Sequence, residues 1–339
     1  FAVRDATDWE SWDRDTNLAQ SVYVGQNPEE GAYINYWLAD APAAMAEDGA
    51  GMDEGAEPRG NGSDGVDGSA PGIRGAQDAA SERSQVVVRI TDSSGRLVRE
   101  LEDPDAEPGV NRVVWDLTWE GPEPVPGEGR GGGGGFFGGP SGPPASPGVY
   151  TATLRVGDEE LSTDFRVRGD PAVEASQADY VARTEAALRA RDLESRLNRM
   201  IGVLADLDGQ VGELVEVVRG QDVEASARIL ELSAEARRSF ESLENDLRRP
   251  PPDMGYRQYP RLSEEASRLG RAIGQAQARP TEGQLEALGD VESEAAAKAS
   301  ELQEILDGPV RELNELLEGL PRLMVDWNAG ERISLGAGG

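Results

Sequence analysis

The sequence predicts an α+β protein of more than one domain, in which an antiparallel β-sandwich is followed by a bundle of α-helices. Three observations predict it. Residues 147–156 open on a Pro-Gly turn and then alternate Val149, Thr151, Thr153 and Arg155 against Tyr150, Ala152, Leu154 and Val156. That period of two belongs to a strand with one buried face. After Asp170-Pro171 the apolar period lengthens to about 3.6, the signature of an amphipathic helix. Leu193, Leu197, Ile201, Leu204, Leu207, Val211, Leu214 and Val218 form its stripe. Between the strand-forming stretches 109–119 and 147–156 lies a long Gly/Pro-rich interruption, which has the composition of a connection.

The elements follow in order. Residues 1–24 are polar and irregular, with Trp9 and Trp12 among acids, and read as a linker or N-terminal extension whose aromatics dock on something. The sandwich spans 25–168. Residues 31–38, with Tyr33, Ile34, Tyr36, Trp37 and Leu38, form its first strand. Residues 40–84 hold almost nothing apolar and cannot offset their ordering entropy, so they read as a flexible insertion. Strands at 85–91 and 96–101 flank a turn at Asp92-Ser93-Ser94-Gly95, where Gly95 supplies positive φ. Another strand covers 110–118. A second flexible insertion, 120–147, contains Gly131 to Gly135 and the pair Phe136-Phe137. Strands at 148–156 and 160–168 close as a hairpin at Gly157-Asp158. About six to seven strands with turns between them are consistent with an Ig-like sandwich.

The helical region spans 176–320. Ser176 is the expected N-cap of a long first helix, and Gly220 and Asp222 punctuate its end. A second helix runs to about Leu247, with Val223, Leu230, Phe240 and Leu243 inward, and Pro250-Pro251-Pro252 stops it. A third covers about 261–278. Thr281 with Gln284 forms a capping box for a fourth, with Leu285, Leu288, Val291, Leu302 and Leu306 inward. Gly308-Pro309 kinks or restarts it before Leu313, Leu316 and Leu317. Short connections and single stripes predict an up-and-down bundle. Residues 321–339 read as a tail.

Composition excludes several function classes. The 339 residues carry 33 basic and 64 acidic side chains, a net charge of −31, with no Cys and no His. Disulfides, zinc–sulfur sites and His-dependent triads are therefore absent from this sequence. The acidity argues against nucleic acid and against an anionic membrane surface. No apolar run is long enough to span a bilayer, so membrane insertion is not expected. Dispersed carboxylates suit a solvated, halophilic surface on which salt screens self-repulsion. The chain starts at Phe1, which suggests a processed or partial product of a longer precursor.

No residue set performs chemistry on inspection, and neither a cofactor nor a metal is expected. Asp116 lies between Trp115 and Trp119, and Trp can stack on sugars, but two indoles plugging a sandwich explain the pattern more simply. The run from Asn61 to Gly68, with Asp64 and Asp67, lacks the spacing and closing Glu of an EF-hand. Gly131 to Gly135 is not followed by Lys-Ser/Thr and is no phosphate loop. Interaction candidates are the apolar residues without an evident internal role: Trp9, Trp12, Val22, Tyr23, Phe136 and Phe137.

Several motifs occur in a shared order: Gly25-Gln26-Asn27-Pro28-Glu29-Glu30-Gly31 running into Ala32 to Leu38, the hairpin at Asp92 to Gly95, and Asn111 to Leu117. Pro147-Gly148-Val149-Tyr150-Thr151, Tyr259-Pro260-Arg261-Leu262 and Ala278-Arg279-Pro280-Thr281 follow. From about residue 20 to 320 the chain resembles the C-terminal region of secreted bacterial BNR-repeat, sortilin-like propeller proteins. The resemblance implies a FlgD-type Ig-like domain plus helical bundle, an extracellular or cell-surface location, and a β-propeller preceding Phe1. The glycosyl hydrolase label often given to such proteins rests on the propeller and supplies no catalytic residue here. The expected function is a non-catalytic protein–protein interaction, attachment or assembly module, partnered by another protein or by its own propeller. Alternatives are a self-assembling homo-oligomer or extracellular filament subunit, with residues 17–24 supplying a strand, and a carbohydrate-binding or glycoside hydrolase component.

Overall fold

The computed structural model describes residues 1–9, 29–39, 86–102, 104, 106–126, 142–220, 225–250, 259–317 and 322–325. Eight strands are described: β1 (Ala2–Val3), β2 (Ala6–Asp8), β3 (Ala32–Leu38), β4 (Val86–Asp92), β5 (Leu97–Glu102), β6 (Gly109–Trp115), β7 (Gly148–Val156) and β8 (Glu159–Gly169). The helices are α1 (Gln177–Gly220), α2 (Ser226–Leu247), α3 (Leu262–Gln275), α4 (Glu282–Ile305) and α5 (Arg311–Leu316), the last two joined by a π-helical turn over Leu306–Val310. The chain is thus mixed α and β, and it divides into two compact units. The first comprises the described residues of Phe1–Thr7, Gly25–Asp116 and Gly148–Val167; the second comprises those of Asp8–Val24, Leu117–Pro147 and Arg168–Gly339.

The first unit is sandwich-like. One sheet has the order β1-β3-β6 and the other β2-β8-β7-β4-β5. β3 runs antiparallel to β1 and β6, β4 to β5 and β7, and β7 to β8. Period-two patterning decides which side chains go inward: Ile34 and Tyr36 from β3, Val88 and Ile90 from β4, Tyr150, Ala152 and Leu154 from β7, and Phe165 and Val167 from β8 are buried. Trp115 joins the two sheets. Its ring centroid lies 5.1 Å from that of Tyr150 and 5.9 Å, edge-on, from that of Phe165. Beyond β4, Gly95 takes φ +84° and Asp92 Oδ1 accepts hydrogen bonds from the backbone N–H groups of Ser94 and Arg96. Burial opposes the Asp92 charge, but the hydrogen bonds from Ser94 and Arg96 prevail and hold its carboxyl below the usual range.

The 44-residue α1 is the spine of the second unit, with α2, α3 and α4 packed along it. Ser176 caps α1 reciprocally with Asp179: the Ser176 hydroxyl and N–H donate to the carboxylate, and the Asp179 N–H returns to Ser176 Oγ. The expected Leu stripe is buried throughout, against Ile229, Phe240 and Leu243 of α2, Ala266 and Ile273 of α3, and Leu288 and Leu302 of α4. Thr281 and Gln284 form the expected capping box. At Pro309, which has no N–H to donate, the helix widens into the π turn instead of stopping.

Four expectations need correction. Residues 1–8 are not linker: β1 pairs with β3, and β2 forms an edge of the five-stranded sheet. Strands of two and three residues are too short to show a period, so composition hid them. The described ends of the 120–147 insertion belong to the helical unit. The N–H of Trp119 donates to Pro143 O (2.7 Å), that of Ala145 to Leu117 O (2.8 Å), and Glu123 O accepts from Asn198 Nδ2 of α1 (2.8 Å). Leu285, expected inward, is 39% exposed in the first turn of α4, off the seam that begins at Leu288. Residues 322–325 are not simply tail: Leu323 is buried, and the backbones of Leu323 and Met324 each exchange two hydrogen bonds with the side-chain amides of Asn314 and Gln210. Val223 lies outside the described residues.

Candidate functional site

The sequence-derived interaction residues lie largely outside the described residues: Trp12, Val22, Tyr23, Phe136 and Phe137 are not among them. Trp9 is described and 54% exposed, just after β2. The sugar-platform idea around Asp116 loses its indoles. Trp115 is fully buried and Trp119 is 4% exposed, whereas Asp116 faces solvent.

A different surface stands out, on the outer face of the three-stranded sheet. The register sets Tyr33 opposite Val114, Asn35 opposite Arg112 and Trp37 opposite Val110, with Ala2 of β1 beside Asn35. Directly opposed residues share a face, and Ile34, Tyr36 and Leu38 occupy the other one, inward. Trp37 is 63% exposed and Val110 is 81% exposed. An indole and a β-branched side chain thus form a cross-strand apolar pair open to solvent.

None of these seven positions is acidic, in a chain whose net charge is −31. The one charge is Arg112. Its guanidinium lies over the Tyr33 ring, 5.1 Å from the centroid, and its Nε donates to Asn35 Oδ1 at 2.9 Å. Tyr33 is itself fixed by its hydroxyl, which donates to Glu29 O at 2.6 Å. Arg112 is therefore held upright by stacking and one hydrogen bond, while its two terminal NH2 groups have no partner among the described residues. Several other guanidinia and the Lys298 ammonium are locally neutralised, as in Arg237 with Asp208, Arg189 with Glu292, and Lys298 with Asp246 and Glu301. The sequence did carry a signal for this face. Residues 33–38 are apolar or aromatic on both alternating sets apart from Asn35, which is one set more than a half-buried strand needs.

The helical unit offers less. A hollow of about 380 Å³ beside α1 is lined by Glu120, Glu123, Arg191 and Arg199, among others. Arg191 is held by Asp192 and the Glu120 carbonyl, and Arg199 by Glu123. Glu194 has its carboxyl pushed up by burial, opposed by a hydrogen bond from Ser267 and the charge of Arg271. Both partners lie on α3, so Glu194 serves a helix–helix contact. The buried Arg183 on α1 reaches Asp8 at 3.4 Å and Ala145 O at 3.3 Å and lies over Tyr180, tying two other segments of this unit to the helix. Among the described residues no cluster of three or more His, Cys, Asp or Glu is placed to hold a metal ion. No described helix is long and apolar enough to cross a membrane. No family model matches the chain, and no curated protein or solved structure matches it.

Proposed function

We propose that this chain is a non-catalytic attachment or assembly module that binds another protein through the outer face of its three-stranded sheet. The observation that carries this reading is the exposed Trp37–Val110 pair on a face whose described strand positions include no carboxylate. A rigid two-sheet scaffold behind the face, knitted by Trp115, lowers the entropy lost on binding. An Ig-like classification of the sandwich and an up-and-down classification of the helices belong to the same proposal. So do secretion, an extracellular location and a preceding BNR-type propeller, which rest on the resemblance of the motifs from Gly25 to Thr281. The partner is then that propeller, another protein or, in the filament alternative, further copies of the chain.

The test is a Trp37→Ala/Val110→Ser variant in the native product. The expected result is loss of the native complex by sedimentation while the far-ultraviolet circular dichroism stays unchanged. An unchanged complex contradicts the proposal. A carbohydrate reading keeps one supporting observation, because the exposed Trp37 indole beside Asn35 and Arg112 could stack on a sugar ring. Quenching of Trp37 fluorescence by a neutral oligosaccharide, lost in Trp37→Ala, would favour it. Turnover of a glycan or peptide panel, abolished by one Asp or Glu substitution, would overturn the non-catalytic part.

A further inference from the structure

Among the described residues the two sheets have four edges, and three of them are protected. β1 has two residues and β2 three. β5 carries Arg99, Glu100 and Glu102 in six residues, and its pairing with β4 shifts register between Ile90 and Thr91. β8, at eleven residues much longer than β2, carries Glu159, Glu160 and Asp164. Short strands, charges and bulges are the means by which proteins keep edges from pairing with other chains. β6 is neither short nor bulged against β3, and its one charge is Arg112. It runs seven residues, Gly109-Val110-Asn111-Arg112-Val113-Val114-Trp115, holds full register with β3, and is β-branched at Val110, Val113 and Val114. Among the described residues no strand pairs with its outer side.

This edge borders the face described above, and both are built from the same residues. A strand added beside β6 would gain main-chain hydrogen bonds from the edge. Its alternate side chains would lie next to Val110, Arg112 and Val114, since directly opposed residues sit about 5 Å apart. Val110 and Val114 offer apolar neighbours. Arg112, whose terminal NH2 groups have no partner among the described residues, offers a carboxylate partner in a fork geometry. We infer that β6 accepts an extended peptide strand whose outward side chains read apolar, carboxylate, apolar. This rests on the outer face being the attachment surface and adds the kind of partner: a protein donating an extended acidic–apolar segment. A second copy is the less fitting occupant, because two chains of net charge −31 repel each other.

The probe is the labelled heptapeptide Thr-Val-Thr-Glu-Thr-Val-Thr, capped at both ends, titrated by fluorescence anisotropy with the whole chain to about 1 mM. The sequence is palindromic, so either strand direction is tested. Two control peptides replace Glu by Lys or N-methylate alternate amides. The account expects saturable binding of the Glu peptide, at least tenfold weaker binding of the Lys peptide, and loss of binding on N-methylation. The R112E variant should reverse the preference between the Glu and Lys peptides. R112Q should abolish the preference, and it serves as the second variant should R112E lose its native circular dichroism. No binding, equal binding of the Glu and Lys peptides, or unaffected binding of the N-methylated peptide overturns the inference. So does a dimer of the unmixed chain that R112E dissolves, which would assign the edge to a second copy. A complex that is lost in Trp37→Ala/Val110→Ser, from a chain that ignores these peptides, would retain the attachment surface and remove only the strand-addition mode.

Discussion

Trp115 is the residue whose loss the sandwich should tolerate least. It is fully buried and meets Tyr150 and Phe165 of the opposite sheet at 5.1 and 5.9 Å. A buried Trp removes about 200 Å² from water, and at about 25 cal/mol per Å² that is about 5 kcal/mol. Truncations of this type cost about 3–5 kcal/mol. Two aromatic contacts add about 0.5–1.5 kcal/mol each. Trp115→Ala should therefore cost about 4–8 kcal/mol, against a typical domain stability of about 5–15 kcal/mol. Trp115→Phe, which keeps one ring in the gap, should cost less than half as much. The assay is near-ultraviolet circular dichroism of the aromatic cluster during urea unfolding. Trp37→Ala is the internal control: that side chain is 63% exposed and should change stability by no more than about 0.5 kcal/mol. A Trp115→Ala cost under about 1 kcal/mol, or a Trp37→Ala cost exceeding it, would refute the placement of the two indoles.

Three further predictions bear on the helical unit and the charge. A Cβ at Gly202 of α1 would meet the Pro126 ring at 2.6 Å, whereas one at Gly212 meets nothing. Gly212→Ala should stabilise by up to about 1 kcal/mol, while Gly202→Ala should destabilise by about 1–3 kcal/mol in urea unfolding; equal gains would mean that the 117–126 segment does not dock there. The Asp179 carboxyl is lowered to about 2 by hydrogen bonds from the Ser176 side chain, Arg279 and the Ser176 backbone. A depressed acid stabilises the fold fully above its unfolded value of about 3.9 and loses that contribution as pH falls through the folded value. The melting difference between wild type and Asp179→Asn should accordingly be constant above about pH 5 and shrink towards pH 2; a difference that grows on acidification contradicts the linkage. Finally, local Arg–carboxylate pairs leave the net −31 uncompensated. The melting midpoint should rise as NaCl goes from about 0.05 to 1 M, with the Debye length contracting to about 3 Å; a flat or falling midpoint contradicts the high-salt reading.

The sequence was most legible where a period was long enough to count. β3 to β8 start within one residue of the expected strands, and all but β6, which ends at Trp115 and not at residue 118, also end within one, because each spans at least six residues with an alternation or a turn at its end. The capping pairs Ser176–Asp179 and Thr281–Gln284 mark helix starts because their chemistry is local. β1 and β2 were illegible since their partners lie far along the chain: β1 is specified by β3, and the N–H of Arg166 on β8 donates to Asp5 Oδ1. The segment after Trp115 shows the same limit. Pro, Gly and Glu there announce a loop, and only the opposing Ser195, Asn198 and Gly202 of α1 make it a docked one. The candidate face was half legible. The aromatic excess of 33–38 is visible in sequence, but the pairing of Trp37 with Val110, and of Asn35 with Arg112, is a matter of register across 73 and 77 positions. Trp37 reads like any core aromatic until that register turns it outward.

The most direct measurement is hydroxyl-radical footprinting of Trp37, with the isolated chain compared against the native assembly and Tyr259, 87% exposed on the helical unit, as the reference. Attachment through the outer sheet face predicts that Trp37 is oxidised readily in the isolated chain and protected at least severalfold in the assembly, while Tyr259 keeps its reactivity. Equal oxidation of Trp37 in both samples would contradict the account and move the contact to another surface.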